Sequence, residues 1–525
     1  EVILHAFEEW GIDCIHKFRG MFAFALWDNR KQELWLVRDR IGVKPLYYSI
    51  HNGRITFASE IKALLKDNEQ KRCVNEQSLF HFMSFLTAPA PDTLFEGIKK
   101  LPCGSWLRIN EKGEIRQEKY WDVLDHTHNL NGISEDELGK LILKELKMSV
   151  KLRKVSDVPV GIFLSGGIDS STNAALFSEG GNCAVKTFTI GYERNYNSYP
   201  NENKYARQAA AFSGAQYHER LLSVDDLLEF LPQMIKLQDE PIADPVCVPV
   251  YYVSKLARDN GVIVCQVGEG ADELYWGYEH WKRALRLQQL NDINHLSLPK
   301  NALMHTLKFA GKEDTGYYEY LRRGVNNQPI FWGGAEAFTH TQKCKLLSPR
   351  LKNKFSAYTS WEALKPIREQ FMQKAQVQSP LNWMSYLDLN LRLPELLLMR
   401  VDKMSMGVSL EARVPFLDHK FVELSMSIPQ ALKTKNNVLK YMLKKSVRGI
   451  IPDEIIDRKK QGFGVPIYEW FFDRLGEKSK CELMHFCDKT DYLDRTEVLR
   501  HINERNVPKV WYLLNLALWW KEYIE

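Results

Sequence analysis

Phe163-Leu-Ser-Gly-Gly-Ile-Asp-Ser-Ser171 closes a short apolar run, Val158-Pro-Val-Gly-Ile-Phe-Leu164, and precedes a segment of helical character. Glycines at such a strand-to-helix turn let backbone amides approach a ligand closely. Hydroxyls add donors, and a helix N-terminus favours anions, so the turn is suited to phosphate. A bare Ser-Gly-Gly could equally be a connection capped by Ser or Asp; the strand before it and Asp169-Ser170-Ser171 after it favour the phosphate reading. The chain holds no GxxxxGK[ST] motif, so this is not a Walker loop. Working outward, Glu135 to Val155 has helical spacing through Leu138, Leu141, Leu143 and Leu146. Two further strand-like runs follow, Ala184 to Ile190 and Val262 to Val267. Strands alternating with helices predict a parallel sheet covered by helices, and from about Leu285 onward the pattern is mostly helical.

The third apolar run ends in Val267-Gly-Glu-Gly-Ala-Asp-Glu-Leu274. Ligands gather outside the carboxyl ends of parallel strands. Three acids in five residues could be a solvated loop, but beside two glycines and a phosphate loop they suit Mg²⁺, a hard ion that takes carboxylate and phosphate oxygens.

SGGIDSS resembles the pyrophosphate loop of N-type ATP pyrophosphatases, which cut ATP between its α and β phosphates to adenylylate an oxygen, and this disfavours kinase chemistry. Four more stretches occur in order: Asp239-Glu-Pro-Ile-Ala-Asp-Pro245, Arg400-Val-Asp-Lys-Met-Ser-Met406, Leu410-Glu-Ala-Arg-Val-Pro-Phe-Leu-Asp418 and Arg458-Lys-Lys-Gln-Gly-Phe-Gly464. With GEGADE, this order is similar to that of the glutamine-dependent asparagine synthetases. The resemblance implies ATP and Mg²⁺ as cofactors. Ser165, Gly166, Gly167, Asp169, Ser170 and Ser171 would form the phosphate cradle, and Leu164, Ile190, Val267 and Gly268 would contact adenine. Glu269 would serve acyl-adenylate formation, and Asp169 and Asp272 would hold Mg²⁺ on the pyrophosphate. Lys460 would face the phosphorus and the tetrahedral intermediate, where a cation stabilises developing charge. Lys440 matches a second phosphate-reaching lysine, although among Lys433, Lys435, Lys444 and Lys445 a surface lysine is an equal reading. Arg400, Asp402, Glu411, Arg413 and Asp418 could shape the acceptor side or form a buried ion network that fixes helices; the network is favoured.

Residues 22–57 alternate as strands with turns at Asp28-Asn-Arg30 and Asn52-Gly53, which predicts an antiparallel sheet, and another strand pair is expected between Gly104 and Trp121. Gly20 to Asp28, Arg38 to Tyr48 and Phe57 to Glu60 resemble the class II glutaminase domain of the same enzymes. Its nucleophile is an N-terminal cysteine with its own α-amine as base, whereas this chain opens with Glu1, and Cys14 reads as a packing residue. The abrupt start reads as that of a partial sequence, so this chain is expected to use ammonia and not to hydrolyse glutamine. In the complete protein glutamine would supply ammonia through a tunnel. The expected fold class is α/β, with an incomplete N-terminal-nucleophile αββα sandwich over 1–125 and a parallel-sheet adenylylating domain with a helical C-terminal part over 135–525. The polar stretch from Asp122 to Ser134 is the expected linker.

With 45% hydrophobic and 26% charged residues, the 525-residue chain excludes disorder, collagen and small disulfide scaffolds. A net charge of +5 without a basic block argues against nucleic acid as a partner. Nine cysteines at 14, 73, 103, 183, 247, 265, 344, 481 and 487 form no CxxC pair and no zinc spacing, and read as reduced packing thiols. Apolar stretches such as Leu391 to Met399 are broken by Arg392, Pro394 and Glu395, so no membrane span and no secretory signal is expected. A cytoplasmic enzyme with small-molecule substrates follows, a homodimer being the expected assembly. Two departures from the family concern the acceptor. Gln266-Val267 replaces the usual Leu-Ser before Gly-Glu-Gly, and Trp276 is a bulky residue that would offer a stacking platform, which suits a sugar better than aspartate. Aspartate is the leading acceptor, and a uronic acid carboxylate of surface polysaccharides the alternative. Ring-forming synthetases of the β-lactam type, a silent scaffold and RNA-modifying pyrophosphate-loop enzymes are rival readings with less support.

Overall fold

The computed structural model describes residues 1–180, 184–293 and 297–525. Cys183 lies outside the described residues. Seven strands build the N-terminal part: β1 (Ala23–Asp28), β2 (Glu33–Arg38), β3 (Tyr47–His51), β4 (Arg54–Ala58), β5 (Ile98–Lys100), β6 (Ser105–Ile109) and β7 (Ile115–Lys119). They form two antiparallel sheets, ordered β1-β2-β6-β7 and β4-β3-β5. The single sheet expected over 22–57 is therefore split between β2 and β3. The cause lies in the buried turn between them: the Asp39 carboxylate accepts from the amides of Ile41, Val43 and Lys44, and the Arg38 guanidinium donates to the carbonyls of Gly42, Lys44 and Leu101. A turn satisfied this way carries the chain from one layer to the next. Leu36 and Leu107 of one sheet then pack with Tyr48 of the other and with Leu101 just after β5, and the helices Val2–Trp10 and Cys14–Lys17 cover the outer face of the first through Ala6, Cys14 and Ile15. The short helix Ile61–Leu64 lies against β3 and β4, which completes the layering.

The stretch from Asp122 to Ser134 is docked against the helices that follow. Val123 and Leu124 are buried, and the Asp122 carboxylate accepts from Lys119, Gln370 and Tyr386. Ser134 caps the helix Glu135–Leu152 in a reciprocal box with Glu137. Five strands follow, β8 (Val160–Phe163), β9 (Lys186–Tyr192), β10 (Gln216–Leu222), β11 (Val264–Gln266) and β12 (Glu411–Arg413), paired in parallel in the order β10-β9-β8-β11-β12. This is the α/β architecture expected, with the remainder helical. Polar pairs stitch the two parts together: Lys100 sits 2.6 Å from Glu240 and 3.1 Å from Glu395, the Ile61 amide donates to Asp239, and Arg19 grips Asp418. Among the described residues no helix is long and apolar enough to cross a membrane.

Candidate functional site

β8 is the middle strand, and the chain leaves its carboxyl end through Leu164, Ser165, Gly166 and Gly167 into the helix Ile168–Ser178. Gly166 has φ +71°, and a β-carbon on it would stand 2.4 Å from the Ala206 amide nitrogen, so only glycine lets the loop turn here. Ser170 Oγ accepts from the Ser165 amide (3.1 Å) and lies 3.0 Å from Ser165 Oγ, while Ser165 Oγ accepts from the Gly167 amide (3.3 Å). Gly167 is the helix N-cap and supplies no side chain to its first amides, which leaves them to a ligand.

A cavity of about 200 Å³ opens above these ends. Leu164, Ser165, Gly167, Asp169, Ser170, Ile190, Val267, Gly268, Glu269, Asp272, Lys440 and Lys460 all line it. Two predicted cradle residues do not: Gly166 packs against Tyr205 and Ala206, and Ser171 is buried, its hydroxyl unpartnered among the described residues.

The charged groups converge on Asp272, in the short helix Ala271–Tyr275 after β11. Lys440 Nζ lies 2.7 and 2.5 Å from the two oxygens of Asp169 and 2.7 Å from Asp272 Oδ1, and Lys460 pairs with Asp272 Oδ2. Lys440 is 2% exposed, which decides against the surface-lysine reading. Its backbone is in the left-handed region and its amide donates to the Tyr275 carbonyl, so the turn that starts the next helix aims it inward. Gly277 makes the room, since a β-carbon there would fall 1.6 Å from Asp272 Oδ1 and 2.5 Å from Lys440 Cε. Burial opposes the charge on Lys440, but Asp169 and Asp272 outweigh it and hold the ammonium above its ordinary range. Burial likewise works against ionised Asp272, and the ammonium groups of Lys440 and Lys460 overcome it, so Asp272 stays below the usual carboxylate range. Glu269 accepts from Arg400 Nη2 at 2.8 Å, and Arg400 Nη1 donates to Asp244 at 2.6 Å.

The five-residue ion cluster expected from sequence does not form as one unit. Arg400 faces the cleft carboxylate Glu269, whereas Asp402 pairs with Lys44, Arg413 with Glu411, and Asp418 with Arg19 and Arg153. Asp402 and Asp418 tie the N-terminal part to the rest, and Arg413 bonds within its own strand and to the Arg153 and Val155 carbonyls.

The stacking platform expected at Trp276 is also absent. Trp276 caps the short helix with φ +63° and is 2% exposed. Its Nε1 donates to Ser385 Oγ at 3.0 Å and its ring meets Trp281 edge-on, so the left-handed cap turns it into the helical layer away from the cleft. Removing so large a buried ring costs about 3–5 kcal/mol. Trp276→Ala is therefore expected to lower the unfolding free energy by about that much and to leave the ratio of rates among acceptors unchanged, as denaturant melts and acceptor competition would read. Gln266 is buried as well, its amide donating to the Val150 carbonyl, and does not reach the cleft.

Among the described residues, the charges that line the cavity are the cations Lys440, Lys460 and Arg458 and the carboxylates Asp169, Asp272, Glu202 and Glu269. Every one of these cations already faces a carboxylate, so the cleft has no surplus positive charge for a polyphosphate. Asp272 Oδ1 is buried and has the Lys440 ammonium 2.7 Å away. Asp169 and Asp272, two carboxylates beside the Ser165–Ser170 loop, fit the donor chemistry of Mg²⁺, which binds one or two carboxylates and fills its remaining positions with phosphate oxygens and water. They do not make an all-protein cage: among the described residues no three His, Cys, Asp or Glu side chains are arranged for a metal ion.

The sequence profile of the family described as asparagine synthase matches residues 141–521, and that of the glutamine amidotransferase domain matches residues 1–121. The chain belongs to the asparagine synthase family. Its enzymes are ligases that use ATP to amidate carboxylates. The chain is 33% identical to asparagine synthetase [glutamine-hydrolyzing] 1 of Bacillus subtilis, across 100% of this chain and 81% of that protein. A putative asparagine synthetase [glutamine-hydrolyzing] of Mycobacterium tuberculosis is 30% identical, with 100% and 80% covered. Amidase chyE of Penicillium rubens is 28% identical, with 90% and 73% covered.

Several residues that shape this asparagine synthase-like cleft escaped sequence reasoning. Arg458 pairs with Glu202 at 2.5 Å, and both line the cavity. Tyr278 lies beneath Lys460, whose Nζ is 5.3 Å from the ring centroid, and donates to Glu273 at 2.6 Å. Burial pushes Glu273 up to about 7 against the nearby Arg392. Glu273 belongs to the acidic stretch quoted from sequence, but it points into the helical layer and away from the phosphate loop. The Arg458 position stood within a quoted motif, and its basic neighbours Lys459 and Lys460 gave no sign of which head group enters the cleft.

Proposed function

We propose that this enzyme converts a carboxylate to an amide through an acyl-adenylate, with aspartate as acceptor and asparagine as product, and with glutamine as the nitrogen source of the complete protein. The observation that carries this reading is the convergence of Asp169, Asp272, Lys440 and Lys460 on one phosphate loop, with a fixed carboxylate, Glu269, in the same cleft. An acceptor oxygen attacks the α phosphorus of ATP, the α–β bond breaks, and pyrophosphate leaves with the electron pair. Ammonia then attacks the acyl carbon, loses a proton and expels AMP. Lys460 is the cation assigned to the phosphorus, where charge builds up in the transition state, and Lys440 the one assigned to the phosphates. Glu269, steadied by Arg400, is assigned to ordering the acceptor for adenylylation. Asp169 and Asp272 would hold Mg²⁺, which when bound neutralises phosphate charge. Leu164, Ile190, Val267 and Gly268 offer apolar and backbone contacts for adenine. Residues 1–125 and 135–525 would act as an amidotransferase-type and a synthetase domain, joined by the docked 122–134 stretch.

The uronic-acid alternative depended on Trp276 as a sugar platform, and its burial removes that support. Pyrophosphate release with ATP, Mg²⁺ and ammonium, compared across aspartate and a panel of free and nucleotide-linked uronic acids, tests the choice. Stimulation by aspartate with asparagine formed is expected. Stimulation by a uronic acid alone would reassign the acceptor while keeping the chemistry.

A further inference from the structure

The parallel sheet places two different sets of side chains on the two flanks of the phosphate loop. On the β11 side stand Asp272, Lys440 and Lys460. On the β9 side stands the helix Asn203–Phe212, whose Tyr205 and Ala206 receive Gly166 and whose preceding residue is Glu202. Arg458 reaches into this second flank from a distant part of the chain. Its Nη1 donates to Glu202 at 2.5 Å, its guanidinium stacks over the Tyr205 ring at 4.6 Å, and its Nη2 lies 3.9 Å from the point a Gly167 β-carbon would occupy. Nη2 makes no hydrogen bond among the described residues. Both side chains of the pair are 11% exposed, and both line the cavity.

Glu202 is an acid next to a site for anions, a placement that repels phosphate unless its charge is committed elsewhere. Its bond to Arg458 commits it, and fixes a planar donor group whose second nitrogen points at the loop. Pyrophosphate presents oxygens on two phosphorus atoms, and a fixed guanidinium is well matched to such oxygens. We infer that Arg458 is a substrate-binding residue for the pyrophosphate part of ATP, held by Glu202 and Tyr205, so that the leaving group is gripped from both flanks of the loop. This rests on the reading that residues 164–171 hold the phosphates of ATP.

The test is calorimetric titration of the protein with inorganic pyrophosphate and Mg²⁺, and separately with AMP. Arg458→Ala is expected to weaken pyrophosphate binding about 10- to 100-fold, the range for a hydrogen bond to a charged group, and to leave AMP binding within about twofold. Arg458→Lys, which keeps the charge but loses the fork, is expected to fall between the wild type and Arg458→Ala. Glu202→Gln should weaken pyrophosphate binding less than Arg458→Ala does, with thermal melts confirming that each variant is folded. Pyrophosphate binding unchanged in Arg458→Ala, or AMP and pyrophosphate binding weakened alike, would overturn the assignment of Arg458 alone. A wild-type protein that binds no pyrophosphate would remove the phosphate-loop reading and this inference with it.

Discussion

Asp272→Asn is expected to lower AMP and pyrophosphate formation at least about a thousandfold, equivalent to ~4 kcal/mol in the barrier, while the protein stays folded. Asp272 is the carboxylate on which two lysines converge, and the neutral amide cannot balance either of them. Lys440 would keep Asp169 as its partner, but Lys460 would lose the contact that holds it over the phosphate loop. The carboxylate assigned to Mg²⁺ would be lost in the same step. Breaking a buried pair from one side also costs stability, about 3–5 kcal/mol, so activity should be measured well below the melting temperature of the variant. Retained turnover would remove Asp272 from the metal and phosphate machinery.

Lys460→Ala is expected to abolish turnover to a similar degree with ATP binding largely retained, because Lys460 is more exposed than Lys440 and its proposed work belongs to the transition state. The contrast with Lys440 is part of the prediction. Lys440 is almost fully buried between Asp169 and Asp272, so Lys440→Met would strip Asp169 of its ammonium partner and leave Asp272 with Lys460 alone, and is expected to lower stability by about 3–5 kcal/mol as well as activity. Single-turnover AMP formation, nucleotide titration and a thermal melt on the two variants distinguish these effects. A wild-type rate for Lys460→Ala would exclude it from the reaction.

The parallel sheet was legible where strands are apolar and central. Val160–Phe163 and Val264–Gln266 fall within the runs read from sequence, and Lys186–Tyr192 overlaps its run and extends past Ile190. β10 was not, because Gln216-Tyr-His-Glu-Arg-Leu-Leu222 is an edge strand with mixed polarity, and β12 was not, because three residues give no period to read. In the N-terminal part the turns and strands were legible one by one apart from the three-residue β5, but their division into two sheets was not. That division depends on Asp39 and Arg38 satisfying a buried turn, which periodicity does not encode.

At the cleft, the loop and the acidic stretch were legible because their residue types carry phosphate and cation chemistry over a short span. The pairings that make them a site were not, since they join residues far apart in the chain: Lys440 with Asp169, Lys460 with Asp272, Arg400 with Glu269 and Arg458 with Glu202. Trp276 is the instructive failure. A tryptophan next to a site motif invites a stacking role, but Trp276 sits at a left-handed helix end with its ring buried against Trp281, which its sequence position does not encode.

The measurement that tests the central claim most directly is the fate of carboxylate oxygen. Acceptor labelled with ¹⁸O in its carboxylate is incubated with the protein, ATP, Mg²⁺ and ammonium, and the nucleotide and phosphate products are analysed by mass. Adenylylation predicts AMP carrying one labelled oxygen, unlabelled pyrophosphate and an equal amount of amide. ADP as the product, or label in inorganic phosphate, would contradict the account.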